Sequence, residues 1–233
     1  MDLNGAKALV TGGSEGIGRA IAASLRQEGS DVVIMARRRE LLEATAAELD
    51  VGWIHGDVGI EEDAVRTVRE FVDRHGRIDI LINNAGFGIF AELVDTDLAR
   101  FEEVYRTNVY GAFLMAREAA RHFVRQESGH LVNISSTAGT KGFRGGTAYA
   151  SSKFALKGMS ECWRDELRRH NVRVILVNPS EVVTPFATKA GYTQDPSPKK
   201  LRPKEIADAV LGALKMDERG FLPEFSVFAT NPF

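Results

Sequence analysis

The amino-acid sequence predicts an α/β fold: a mostly parallel sheet covered by helices on both faces. Three observations point to it. Short apolar runs alternate with longer amphipathic ones along most of the chain. The short runs are continuously apolar, as strands buried on both faces are. Polar turns, several with glycine, follow the strands, and in such sheets ligands sit outside the carboxyl ends of the strands.

Taken in order, 6–12 (AKALVTG) reads as a buried strand entering a glycine turn, and 17–29 as a helix with a glycine stop. A strand at 31–37 (DVVIMAR) precedes a helix at 39–49, and 52–58 (GWIHGDV) is a short strand. Residues 61–76 form a helix that starts acidic and ends basic, as its dipole favours. A strand over 78–86 (IDILINNAG) ends in a polar turn, and a helical region covers about 97–126. Strand 129–136 (GHLVNISS), a helix from about 149 to 170, strand 172–179 (VRVILVNP), helix 203–215 and strand 224–229 complete the pattern.

A length of 233 residues with 44% apolar and 27% charged residues suits one well-buried domain, expected over 1–233. The net charge of −2 gives no electrostatic reason for a nucleic-acid or anionic-membrane partner. No apolar run is long enough to span a bilayer, and the opening MDLNGAKALV lacks the build of a signal peptide. The single cysteine, Cys162, excludes an internal disulfide, fits a reducing cytoplasm and is expected to pack inside a helix. The histidines at 55, 75, 122, 130 and 170 have no metal-ligand spacing, so no metal is expected.

TGGSEGIGR (11–19) joins the first strand to the first helix. Gly12, Gly16 and Gly18 permit a tight turn and close approach to a ligand, and the free N–H groups of a helix N-terminus suit a pyrophosphate. The plainer alternative is a glycine turn that binds nothing. No Gly-Lys-Ser/Thr follows, so a Walker-type nucleotide site fails, and the spacing is GxxxGxG rather than GxGxxG. Where an NAD site has an acid at the end of the second strand, this sequence has Ala36, then Arg37, Arg38 and Arg39. Arginine suits a 2′-phosphate, which favours NADP(H), with NAD(H) possible. Glu15, a carboxylate within the turn, works against that phosphate.

Tyr149 and Lys153 are four apart on a helix and share a face. A free phenol has a pKa near 10 and exchanges protons poorly at neutral pH. An ammonium about 5 Å away, at an effective dielectric near 20, favours phenolate by roughly 3 kcal/mol, about two pKa units. Lys153 can also donate to ribose hydroxyls. Ser136, at the end of the preceding strand, can hydrogen-bond a carbonyl oxygen.

TGGSEGIG (11–18), NNAG (83–86), Asn108, ISS (134–136), YASSK (149–153) and NPSEVVT (178–184) occur in the order and spacing of the short-chain dehydrogenase/reductase family, which the chain resembles over roughly 5–215. The resemblance implies a Rossmann-like, doubly wound sheet of seven mostly parallel strands, a nicotinamide cofactor, and a homodimer or homotetramer. Carried over by position, Tyr149 is the proton donor, Lys153 the ribose clamp and modulator of the tyrosine, and Ser136 the carbonyl-orienting hydroxyl. Asn108 holds a backbone kink and a water of the proton relay. Gly12, Ser14, Glu15, Gly16, Ile17 and Gly18 form the pyrophosphate turn, and Asp57 and Val58 meet adenine. Asn84, Ala85 and Gly86 flank a ribose, and Pro179, Val182 and Thr184 border the nicotinamide amide. Residues 186–204 fall where the family places a substrate lid, and mobility is expected there.

Two departures bear on the substrate. Ser180 stands where the family usually has glycine, and Glu181 follows it. The ending GFLPEFSVFATNPF lacks the pattern common in acyl-carrier-protein reductases and looks like the short-ended branch of the family. The expected function is therefore an NADP(H)-dependent oxidoreductase interconverting a carbonyl and an alcohol of a small molecule. A 3-oxoacyl-(acyl carrier protein) reductase-like enzyme and a nucleotide-binding regulator without turnover stand as alternatives. Phe87, Phe90, Phe143 and Phe186 are either apolar walls of the pocket or core and subunit-contact residues.

Overall fold

The computed structural model describes residues 1–193 and 197–232. Seven apolar runs become strands β1 (Lys7–Thr11), β2 (Asp31–Ala36), β3 (Gly52–His55), β4 (Ile80–Asn83), β5 (Gly129–Ile134), β6 (Val172–Pro179) and β7 (Glu224–Val227). They pair in parallel in the order β3-β2-β1-β4-β5-β6-β7. Several stop short of the expected ends: β3 by three residues, β4 by three and β5 by two. At those ends the chain leaves the ladder, and its residues line a cleft instead.

Both sheet faces are apolar because alternate residues of each strand point opposite ways. On one face Ala8, Val10, Val32 and Ile34 pack against Ile21 and Leu25 of α1 (Gly16–Gln27), Leu42 of α2 (Arg39–Leu49) and Ile206 and Val210 of α8 (Pro203–Leu214). On the other, Leu9, Val33 and Leu81 meet Val68 and Phe71 of α3 (Glu61–His75) and Met115 and Phe123 of α5 (Ala112–Gln126). Successive connections reverse direction between β1 and β4, which opens a crevice where their carboxyl ends part.

The helical region expected over 97–126 is not uniform. α4 (Leu98–Tyr105) runs into a π-helical turn at Arg106–Gly111 before α5 begins. Such a turn inserts one residue into the helical ladder and is frequent at functional sites. It carries Asn108, which is buried. α6 (Thr147–Leu167) starts at the cleft and runs along β6.

The segment expected to act as a lid is anchored at its far end. The Val183 N–H donates to the Leu201 carbonyl at 2.8 Å, Leu201 is buried, and Pro203 opens α8. The short helix α7 (Phe186–Lys189) starts the strap over the cleft. Residues 194–196 of the expected lid lie outside the described residues. Cys162 is exposed rather than packed, because it falls on the outer face of α6. Among the described residues, no helix is long and apolar enough to cross a membrane, and no cluster of metal-ligating side chains occurs.

Candidate active site

A single cleft of about 1160 Å³ runs along the carboxyl edge of the sheet. Gly12, Ser14, Glu15, Gly16 and Ile17 line one end, with Arg37 and Arg38 after β2 and Asp57 and Val58 after β3. Asn84, Ala85 and Gly86 line its middle. Ser136, Tyr149 and Lys153 face Pro179, Val182 and Thr184 at the other end. Two predicted residues do not line it. Gly18 is buried beneath the turn, where a Cβ would overlap the Asn84 side-chain amide and the Gly12 carbonyl. Its lack of a side chain lets the Asn84 amide and the Gly12 carbonyl come close. Asn108 lies behind the cleft wall.

The glycine turn is built to sit close to β4. Gly12 has φ +64°, and a Cβ there would lie 2.9 Å from the Ala85 Cα. The Asn84 side chain donates to the carbonyls of Thr11 and Gly12 at 3.0 and 3.1 Å, clamping the turn from below. α1 then starts with no side-chain cap and no acidic residue in its first turn. Its leading N–H groups and the positive end of its dipole are left to an anion.

The charges around this end differ from the sequence expectation in one respect. Glu15 is not a lone carboxylate: Arg38 pairs with it at 2.6 Å, and Lys189 of α7 pairs with it from across the cleft. Arg37 pairs with Asp57 at 3.5 Å. Both arginines are more than half exposed, so these pairs hold weakly and can exchange for a phosphate.

At the other end, Tyr149 occupies the first turn of α6 and Lys153 the next turn, with Nζ 5.8 Å from the phenol ring centre. Lys153 is buried, and its ammonium donates to the Ile134 carbonyl at 2.9 Å. The expected lowering of the tyrosine pKa is not met. Burial pushes the Tyr149 phenol up to about 12, opposed by hydrogen bonding with Ser136. Burial likewise takes the Lys153 ammonium down to about 8. For the tyrosine, desolvation outweighs the hydrogen bond with Ser136, and for the lysine desolvation acts alone. Ser136 is oriented by accepting the Ala138 N–H at 3.1 Å.

Asn108 fixes this geometry through the backbone. Its Oδ1 accepts the Phe87 N–H at 3.0 Å, and its Nδ2 donates to the Phe87 carbonyl at 2.9 Å. Nδ2 also donates to Ser152 Oγ at 3.0 Å, and Ser152 in turn donates to the Tyr149 carbonyl at 2.7 Å. One buried amide therefore ties the turn after β4 to the start of α6. Ser152 was not singled out from sequence; its place beside Lys153, one residue off the Tyr149–Lys153 face, was the available signal. Phe87, Phe90, Phe143 and Phe186 all line the cleft, which decides for pocket walls over core.

A profile described as short chain dehydrogenase matches residues 6–195. The chain belongs to the short-chain dehydrogenase/reductase family. It is similar to (+)-borneol dehydrogenase 2 of Salvia officinalis, 38% identical over 79% of this chain and 68% of that one. An uncharacterised oxidoreductase of Bacillus subtilis is 33% identical over 91% of this chain, which covers 63% of that longer protein. Among solved structures, a metagenomic short-chain oxidoreductase in complex with NADP superposes with a TM-score of 0.86 at 32% identity, over 99% of this chain and 100% of that one. The chain is thus a short-chain oxidoreductase with the family's Rossmann-like sheet.

Proposed function

We propose that this oxidoreductase uses NADP(H) to interconvert a carbonyl and an alcohol, with Tyr149 as general acid and base. The observation that carries the reading is the continuity of one cleft from the arginines after β2 to the tyrosine of α6. The residues fit a dinucleotide. The uncapped start of α1 takes the pyrophosphate, and Arg37 and Arg38 take the 2′-phosphate. Asp57 and Val58 border adenine, Asn84 to Gly86 a ribose, and Pro179, Val182 and Thr184 the amide. A solved relative that carries NADP, rather than NAD, supports the preference.

The nicotinamide supplies or accepts the hydride when the dinucleotide is bound. The chain does the rest. Ser136 and Tyr149 hold the substrate oxygen, and Tyr149 gives it a proton as the carbonyl carbon is reduced, or takes one away in the reverse direction. Lys153 clamps the ribose and returns the proton to the phenol. Asn108 acts as a positioning residue: it holds Phe87 and, through Ser152, the backbone of Tyr149. Glu15 is held by Arg38 and Lys189, so it does not face the 2′-phosphate as an uncompensated charge.

We further place the chain in the cytoplasm, as a single catalytic domain that forms homodimers or homotetramers. An apolar groove between α5 and α6, with Phe113 and Trp163 on its walls, supports contact with a second copy. A panel of ketones and aldehydes, followed by loss of reduced-nicotinamide absorbance, tests the function. NADPH should be consumed with kcat/KM at least about tenfold above NADH, as one charge-assisted contact to the 2′-phosphate would give. Equal use of the two dinucleotides contradicts the cofactor preference, and no consumption of either contradicts the reaction.

A further inference from the structure

The rings around Tyr149 form a cage whose chemistry narrows the substrate. We infer that this chain acts on neutral, ring-bearing ketones and their alcohols, and discriminates against carboxylated carbonyls and carrier-linked thioesters; the inference rests on the carbonyl–alcohol reading above.

Four rings meet the tyrosine end of the cleft. Phe90 is central: its ring centre lies 5.8 Å from Tyr149 at an interplanar angle of 77°, 5.8 Å from Phe143 and 5.5 Å from Tyr192 at 66°. Phe186 stands 5.3 Å from Tyr149 on the other side. They come from the turn after β4, the loop after β5, α7 and the residues just beyond it, so no single element dictates the cluster. Gly88 is the floor on which it closes. A Cβ at Gly88 would lie 3.0 Å from Phe186, 3.1 Å from Tyr149 and 3.3 Å from Phe90. The cage is not sealed: Phe143 is half exposed and Tyr192 more than a third exposed, so aromatic faces and edges remain open to a ligand. Rings packed edge-to-face suit a flat or cyclic ligand with few rotors better than a floppy chain of equal size.

Charge settles the rest of the assignment. Among the paired cations near this end, Lys200 is mostly buried and held by Glu181 at 2.9 Å, while Lys189 and Arg144 are exposed, where water screens their pull on an anion. Lys153 is buried against Ile134. Lys141 sits on the rim and is exposed, where water screens its pull on an anion. Glu181 adds a carboxylate to the lining. Burial and that carboxylate hold the Tyr192 phenol above its usual range, so this ring stays uncharged at neutral pH. An anionic substrate entering the cage loses its hydration without a matched cation, and a neutral ring does not.

Turnover of acetophenone, methyl hexyl ketone of equal carbon count, para-acetylbenzoate and a 3-oxoacyl thioester with NADPH tests this, together with calorimetric binding of each to the protein. Acetophenone should exceed methyl hexyl ketone and the thioester at least about tenfold in kcat/KM, and the carboxylate at least about a hundredfold. Calorimetry should show binding of acetophenone and none of the carboxylate. Phe90→Leu should cut the acetophenone advantage over the open-chain ketone to below about threefold, since the shared ring contacts go while an apolar side chain remains. Equal rates for ring and chain, or a preference for the carboxylate or thioester, overturn the inference and leave the tyrosine chemistry standing. A protein that binds NADPH but turns over no carbonyl overturns the reading beneath it, and this inference with it.

Discussion

Replacing Lys153 with methionine is expected to leave the protein at least as stable and nearly inactive at once. Lys153 is only 5% exposed, and burial lowers its pKa from 10.5 to about 8. That gap corresponds to about 3 kcal/mol of cost for holding the ammonium inside the fold at neutral pH. Methionine removes the charge at similar volume. It also removes the charged donor to the buried Ile134 carbonyl, which offsets about 1.5–3 kcal/mol. The net gain is about 0–1.5 kcal/mol near neutrality, a rise in Tm of at most roughly 6 °C for a chain of this size. The sign follows from linkage: a folded pKa below the unfolded one means stability is lost as pH falls through about 8. The advantage of the methionine variant should therefore be full below about pH 8 and shrink as pH rises towards 10.5. Activity moves the other way. An ammonium 5.8 Å from the phenol ring centre, at an effective dielectric near 20, favours phenolate by about 3 kcal/mol. Without it the upward push of burial on the phenol is opposed by Ser136 alone, and turnover should fall at least about a hundredfold. Thermal unfolding at two pH values and steady-state rates check both halves. A methionine variant that is less stable, or within about threefold of the parent in turnover, is incompatible with this account.

The second large effect belongs to the arginines after β2. Replacing Arg37 and Arg38 together with alanine should lower kcat/KM for NADPH at least about a hundredfold, since each charge-assisted bond to a phosphate is worth about 1.5–3 kcal/mol. NADH should change by less than about threefold, because it lacks the group they hold. Their present ion pairs with the partly buried Asp57 and Glu15 involve exposed guanidinium groups and contribute about 0–1 kcal/mol each, so the fold should survive the change. Parallel titration with the two dinucleotides checks the result. A loss shared equally between NADPH and NADH would place the arginines away from the 2′-phosphate.

The sheet was legible because its central runs are apolar on both faces, and β6 starts and stops where its residues alone indicate. The shortfall at β3, β4 and β5 has one cause. Asp57, Asn84 and Ser136 are near enough to strands in sequence to extend them, yet their groups serve the cleft or the turn rather than the ladder. The π-helical turn at Arg106–Gly111 was hidden because RTNVYG has no proline or glycine pair to mark it. What creates the turn's role is tertiary: Asn108 reaching Phe87, 21 residues away, and Ser152, 44 away. Spacing does not show that Gly18 also lets the Asn84 side chain approach the turn. The direction of the Tyr149 shift was misread for a related reason. A pair on one helix face shows the attraction between two groups, but not how far both are taken out of water. The partners of Glu15 lie 23 and 174 residues downstream, and only the fold brings Lys189 to it.

The central claim is that the Tyr149 phenol moves the proton of the reaction, and Tyr149→Phe tests it most directly because one oxygen atom is removed. The measurement pairs calorimetric binding of NADPH with the rate of its oxidation by a ketone that the parent protein reduces. Binding within about threefold of the parent, with turnover lowered at least about a thousandfold, is the predicted result. A phenylalanine variant that binds NADPH and turns over within about tenfold of the parent would contradict the claim.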